Sequence, residues 1–314
     1  MRNNRKSGEK MTIGIPRALL YYRYQHLWKT FFHGLGCELQ ISPDTCPSLL
    51  EEGISQSVGE CCLPVKLFLG HAGSLVGKCD FLLAPRFETT GKGEEFCVRF
   101  WGLPDIVRNT FPTQALLTYN LRGHQRGSQQ RGFLEMGKTL GKGKGEILEA
   151  YHAALEEQER QDRLDEEDQQ ELLDAPGPKI LLVAQPYLIH DAYMGAPLVN
   201  LLRELGAVPL YSDRCSRAAC HTLAKSLCRD LYWTMNREMI GAIPLLREKL
   251  DGVLLVTSFP CGTDSLVNEL VLRRVTGLPV AQLVLDEQQG DAGLQTRLEC
   301  FMDMVCERRD RNAG

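Results

Sequence analysis

The chain has 314 residues, 43% hydrophobic and 24% charged, an ordinary globular composition that excludes a fibrous or wholly disordered protein. That length, about twice a ~150-residue unit, predicts two compact domains, and a net charge of −4 excludes a global nucleic-acid footprint. The opening MRNNRKSGEK lacks the apolar core of a signal peptide, and no apolar run approaches the ~18 residues of a membrane span; a soluble, cytoplasmic protein is therefore expected.

In chain order, Met11–Ile15 reads as a strand, followed by a helix from about Ala18 to Leu35. Leu20, Leu27, Trp28, Phe31 and Leu35 give that helix one apolar face, and Gly34 and Gly36 end it. A short strand from Glu38 to Ser42 completes a β-α-β opening, which implies a parallel sheet. Cys61-Cys62-Leu-Pro64 starts an apolar helical segment running to Val76, with Pro64 suited to its first turn. Cys79–Ala84 is another strand, and Cys97 lies in the loop Gly91–Val98 that follows the strand ending at Pro85.

Gly132-Phe-Leu-Glu-Met-Gly-Lys138-Thr139 satisfies the P-loop pattern, but the preceding Arg122–Arg131 is a polar loop rather than a buried strand. Glu135 would also face the bound anion, so the match is set aside. The glycine–lysine runs Gly91–Gly93 and Gly141–Gly145 are weaker still. From Lys144 to Leu173 the chain is helical and charged, with ten acidic residues and two arginines between Leu155 and Asp174, and a solvated connecting helix is expected. Asp174-Ala-Pro-Gly-Pro178 breaks it.

The opening plan then returns. Lys179–Ala184 is a strand, Gly195–Leu205 a helix and Pro209–Tyr211 a strand. Pro16 and Pro186 each precede a Leu-Gly pair by the same interval, and Cys79–Ala84 parallels Leu250–Val256, an offset of about 170 residues throughout. The expected architecture is α/β with two Rossmann-like parallel-sheet domains and a cleft between them. Residues 11–145 form the first half, 146–178 the connector and 179–306 the second half.

Twelve cysteines in a reducing compartment point to thiol, metal-ligand or packing roles, and more than half are expected to be small buried hydrophobes. Cys62 opens one helix. Cys261 ends the strand Val253–Phe259 and opens a helix running to Val275, so both positions should favour a thiolate. With Cys97 they map to the same edge of the two sheets, where open α/β folds bind ligands. Cys215, Cys220, His221 and Cys228 invite a zinc reading, but their helical rhythm does not converge them on one point. Cys37, Cys46, Cys79, Cys300 and Cys306 read as packing or surface thiols, and no Ser-His-Asp arrangement stands out.

Four segments carry a resemblance. Gly14-Ile-Pro-Arg-Ala-Leu-Leu-Tyr-Tyr22, Cys62-Leu-Pro-Val-Lys-Leu-Phe-Leu-Gly-His71, Ser258-Phe-Pro-Cys-Gly-Thr-Asp264 and Thr296-Arg-Leu-Glu-Cys-Phe-Met-Asp303 resemble the acyl-CoA dehydratase activase-related proteins. That group is related to the 2-hydroxyacyl-CoA dehydratase subunits and the double-cubane iron–sulfur proteins, and the resemblance runs from about Met11 to Cys306. It implies an iron–sulfur cluster in the cleft, either [4Fe-4S] or a larger double-cubane type. Two cysteines of the first half and one of the second would hold it, and Cys62, Cys97 and Cys261 match that layout. Cys61 leaves open which neighbour ligates. The resemblance further implies an ATP-dependent activase with its own cluster as electron donor, an acyl-CoA or small reducible substrate, and a homo- or heterodimer. Lys66 and Arg17 are candidate partners for an anionic cluster or a CoA phosphate. The competing readings are a non-catalytic cluster-holding or assembly partner, and a zinc-stabilised or metal-free ligand-binding protein.

Overall fold

A computed structural model describes residues 10–123, 125–287 and 291–313; positions 1–9 of the polar N-terminal stretch and His124 of the polar loop lie outside them. Strand β1 (Thr12–Ile15) leads to α1 (Tyr21–Gly34), β2 (Glu38–Ile41), α2 (Pro47–Ser55), α3 (Leu63–Leu75) and β3 (Phe81–Leu83). A hairpin of β4 (Arg86–Gly91) and β5 (Glu94–Glu95) precedes α4 (Val98–Thr110), β6 (Leu116–Leu117), β7 (Asn120–Arg122) and α5 (Ser128–Thr139). The long α6 (Lys144–Asp174) leads to β8 (Lys179–Ala184), α7 (Pro186–Ile189), α8 (Gly195–Glu204), β9 (Val208–Tyr211), α9 (Arg217–Leu223) and α10 (Thr234–Leu246). The chain then runs through β10 (Gly252–Ser258), α11 (Gly262–Arg274), β11 (Val280–Leu285) and α12 (Asp291–Ala313).

Two four-stranded sheets form, ordered β2-β1-β3-β6 and β9-β8-β10-β11, with parallel pairing throughout. Renumbered within each half, both orders are second, first, third, fourth strand, so the repeat in the sequence is a repeat of topology. Strands β8 and β10 are buried along their whole length, as parallel strands covered on both faces must be. The two halves are Rossmann-like, as the sequence implies. The turn after β1 is not glycine-rich: Leu19 takes a φ of +50° there, a strain of about 1 kcal/mol held by burial of its side chain in the first core.

The halves do not keep separate cores. Tyr187, Leu188 and Met235 of the second half pack into the first core, and Leu50, Leu63 and Leu67 from α2 and α3 pack into the second. Helix α3 can do this because it presses closely on α2. A Cβ on Gly53 would stand 1.9 Å from the Lys66 carbonyl oxygen, and one on Gly70 the same distance from that of Leu49. Both obstacles are backbone, so Gly70→Ala is expected to cost about 3 kcal/mol in urea unfolding. A loss below about 1 kcal/mol would show that the two helices separate freely.

Three expectations need correction. The loop Gly91–Val98 is partly a strand: β4, β5 and β7 form a small third sheet, ordered β5-β4-β7, whose β4–β7 pairing is non-local and leaves no period in the sequence. It reaches the second half through Glu95 N–H donating to the Tyr232 carbonyl at 2.7 Å. The connecting helix α6 is not simply solvated. Ile147, Ala150, Tyr151 and Ala154 lie buried in the first core, and Gln169 exchanges two hydrogen bonds with the Tyr211 backbone (2.9 and 3.1 Å). Finally, only Cys37, Cys61, Cys215 and Cys220 of the twelve cysteines are fully buried. Residues 132–139, the P-loop match, are helical in α5 and form no phosphate-cradling loop. Among the described residues no helix is long and apolar enough to cross a membrane.

Candidate functional site

Cys62, Cys97 and Cys261 occupy one kind of position: each is the N-cap residue of a helix, of α3, α4 and α11 respectively. Pro64 in the first turn of α3 has no N–H to leave unpaired. The Leu63 N–H donates instead to the Phe259 carbonyl at 3.1 Å, which ties the start of α3 to the loop before Cys261, where the Phe259–Pro260 peptide is cis. All three thiols lie within electrostatic reach of the buried Tyr187 hydroxyl, and Cys62 within reach of both Cys97 and Cys261. Three distant segments of sequence therefore meet in one neighbourhood. Among the described residues no group of three or more His, Cys, Asp or Glu side chains is arranged to hold a single metal ion. Cluster-binding thiolates stand further apart than the ligands of one tetrahedral ion, because each reaches a different iron at the corner of the cluster.

The electrostatics reverse the simple helix-dipole argument. Burial pushes up the thiol pKa of Cys62 and Cys97, and that of Cys261 to about 12, where the Asp264 carboxylate adds to the effect against the Thr263 hydroxyl and the Asp264 amide. Desolvation outweighs the hydrogen bonds from the Val65, Arg99 and Asp264 amides, so without a cation these are thiols rather than thiolates. Cys46, the N-cap of α2, moves the other way because the Ser48 hydroxyl and the Leu49 amide stabilise its thiolate at the surface.

Cys61 and its neighbour separate clearly. Cys61 is buried in a small cluster with Val65 and Leu69, whereas Cys62 caps the helix at a half-buried position. Lys66, one turn on, pairs with Glu287 at 2.7 Å and so joins α3 to the second half. Arg17 pairs with Asp44 and lines a cavity that none of Cys62, Cys97 and Cys261 borders. Sequence reasoning missed Arg99, which lies within electrostatic reach of Cys62 and Cys97 and has no ion pair among the described residues. It also missed the support beneath Cys261. The buried Asp264 accepts hydrogen bonds on Oδ1 from Gln185 (2.9 Å) and Asn236 (2.7 Å), while burial raises its pKa. Gln185 directly follows β8, the strand end where ligands are expected, and that was the available signal. In the zinc alternative, Cys215 and Cys220 are core residues, while His221 turns away to Glu94 and Glu238.

Residues 12–214 match the family described as CoA enzyme activase uncharacterised domain (DUF2229). The chain belongs to this activase-related family. The matched region takes in the first half, α6 and the start of the second half; it contains Cys62 and Cys97 and ends before Cys261. No curated protein matches the chain. A solved structure described as the crystal structure of ZnuA is similar over 95% of this chain and 98% of that one, at 11% identity and a TM-score of 0.27.

Within the family region a buried chain of hydrogen bonds crosses between the halves. Arg17 N–H donates to Ser42 Oγ (2.8 Å), which stands 2.8 Å from His71 Nδ1. His71 Nε2 lies 2.9 Å from Thr45 Oγ1, and Thr45 donates to Asp191 Oδ2, which also accepts from the Tyr22 hydroxyl at 3.0 Å. Each hydroxyl has one proton to give, so the network assigns the proton of a neutral His71 to Nε2. Burial lowers the His71 pKa to about 4, consistent with that assignment. A histidine pKa depressed below its unfolded value contributes stability above about pH 6.5 that is lost as pH falls toward 4, here about 3 kcal/mol. His71→Asn is therefore expected to be less stable than wild type at pH 7.5, with the gap narrowing by pH 4.5. Urea unfolding at both pH values checks this, and a gap independent of pH would mean that His71 keeps its unfolded-state pKa in the fold.

Proposed function

We propose that this protein holds an iron–sulfur cluster on Cys62, Cys97 and Cys261, accepts low-potential electrons from an ATP-dependent activase, and passes them to a substrate bound in the cleft. The observation that carries this reading is the meeting of three helix-capping cysteines from three separate segments around Tyr187. The donor set fits, since thiolates are the ordinary protein ligands of such clusters. When bound, the cluster would supply one-electron reducing power.

The chain's own residues supply the setting. The starts of α3, α4 and α11 turn the positive ends of their helix dipoles toward an anionic group. Arg99 adds a cation at the same place. The Gln185–Asp264–Asn236 hydrogen bonds fix the first turn of α11 and so the direction in which Cys261 is held. Val58, Val98 and Phe259, each within four residues of one of these cysteines, leave large apolar side chains exposed, as a surface for a protein electron donor would. With the P-loop match folded into helix α5, the chain suits the acceptor role rather than that of the ATPase.

The test is iron, sulfide and zinc per chain on protein purified without oxygen, with a visible absorption spectrum beside it. About four iron and four sulfide support one cubane, and about eight of each a double-cubane type. Colourless, iron-free protein that cannot be reconstituted overturns the reading.

A further inference from the structure

Cys215 and Cys220 are two of the fully buried cysteines, and the cluster reading leaves them without a role. Helix α9 explains why they sit together. Its N-cap is Ser216 and its first residue Arg217, so Cys215 stands just before the cap and Cys220 at the fourth helical position. Side chains at those two positions pack against each other at a helix start, normally as an apolar staple that fixes how the chain enters. Here the staple is made of two thiols. Both belong to one core cluster, and Cys220 is hydrogen-bonded to the Cys215 side chain.

The two sulfurs differ in what reaches them. Cys215 lines the cavity of about 680 Å³ between the halves and α6, and also a groove between α6 and the end of α10. Its sulfur meets the Gln169 side-chain amide and the Tyr211 carbonyl, both at 3.7 Å. Cys220 is 1% exposed and lines neither opening. The hydrogen bond to Cys215, and after it burial, raise the Cys220 pKa, so this thiol holds its proton. Its backbone is pinned from behind by α10, where a Cβ on Gly241 would stand 2.0 Å from the Cys220 carbonyl oxygen.

We propose that Cys215 and Cys220 are a peroxide-reactive thiol pair that closes to an intrachain disulfide. The Cys215 thiolate attacks one oxygen of hydrogen peroxide, the O–O bond breaks, and the other oxygen leaves as hydroxide, which gives a sulfenic acid on Cys215. The Cys220 sulfur then attacks the Cys215 sulfur, the S–O bond breaks, and the Cys220 proton leaves with the hydroxyl as water. In all, two thiols and one peroxide become one disulfide and two waters, with two electrons passing from sulfur to oxygen. The bond closes between side chains that the staple already holds in contact. The pair is distinct from Cys62, Cys97 and Cys261 and does not rest on their holding a cluster.

The test is peptide mapping of the full chain after brief exposure to about 1 mM hydrogen peroxide, with the remaining thiols blocked by N-ethylmaleimide. Trypsin cuts after Arg214, Arg217 and Lys225, so the disulfide is read as residues 215–217 joined to residues 218–225. That joined pair is expected to rise about tenfold over untreated protein and to be released by dithiothreitol. Cys215→Ala should leave Cys220 reduced, because oxidation enters at Cys215. Cys220→Ala should carry Cys215 on to the sulfinic acid, having lost the thiol that traps the sulfenic one. Cys220→Ser serves if Cys220→Ala does not fold. Cys228→Ala, which removes the next thiol along the chain, should leave the joined pair unchanged. The proposal is overturned if peroxide leaves the two peptides unjoined, if Cys220 is oxidised as fast in Cys215→Ala as in wild type, or if Cys228→Ala abolishes the joined pair.

Discussion

Replacing Cys261 with serine is expected to remove most of the bound iron from anaerobically purified protein while leaving the fold intact. The thiol is half-buried and its contact with the Thr263 hydroxyl is long, 3.5 Å, so little packing is lost. A serine hydroxyl cannot become an anionic ligand at neutral pH, whereas the thiol can once a metal displaces its proton. Cys62→Ser and Cys97→Ser should behave alike, because each caps a helix at the same centre. Cys61→Ser makes the contrast. It should keep its iron yet lose about 1–2 kcal/mol in urea unfolding, because it places a hydroxyl against Val65 and Leu69. Iron and sulfide analysis across the four variants decides the point. Normal iron in Cys261→Ser would remove that residue from the site, and iron loss in Cys61→Ser would put Cys61 in it.

The largest loss of stability is expected from Glu238→Ala. Arg23 and Glu238 form a two-bond ion pair across the halves, with side chains only 11% and 13% exposed. Burial opposes the charge on Glu238, but Arg23 and the His221 hydrogen bond hold its pKa down at about 2. Deleting the acid strands a guanidinium that has lost its solvent, at a cost of about 3–5 kcal/mol. The double substitution Arg23→Met with Glu238→Leu should recover most of that loss, because much of the single-variant effect is the penalty of the unpaired charge. Urea unfolding of all three variants distinguishes the cases. A single-variant cost below about 1 kcal/mol would mean that water reaches the pair and that it does little to join the halves.

Much of this architecture is legible along the chain because it depends on neighbours in sequence. Apolar runs bounded by Gly and Pro mark β1, β8 and β10, and the 170-residue echo of strand, helix and strand anticipates two sheets of one topology. A cysteine before Leu63-Pro64, or before Gly262-Thr-Asp264, announces a helix cap, since caps are set by the residues that follow them. The placement of Cys62 and Cys261 at element ends belongs to this local information, whereas Cys97 reads as a loop residue and only the structure makes it the cap of α4.

What the sequence does not carry is whatever requires knowing which segment lies across the gap. The third sheet depends on β4 finding β7 some thirty residues later, and α6 looks solvated until its Ile147–Ala154 stripe meets the first core. Local reasoning expects thiolates at the caps, but only the packing around them shows that burial outweighs the helix dipole. Lys66 and Arg17 read alike as cations near the cleft, and the fold assigns one to Glu287 and the other to a separate cavity. The sequence by itself determines elements, their order and their caps, because hydrogen bonding and periodicity act over a few residues. Burial, ion pairing and the meeting of three cysteines act between residues hundreds of positions apart, so only the tertiary structure decides them.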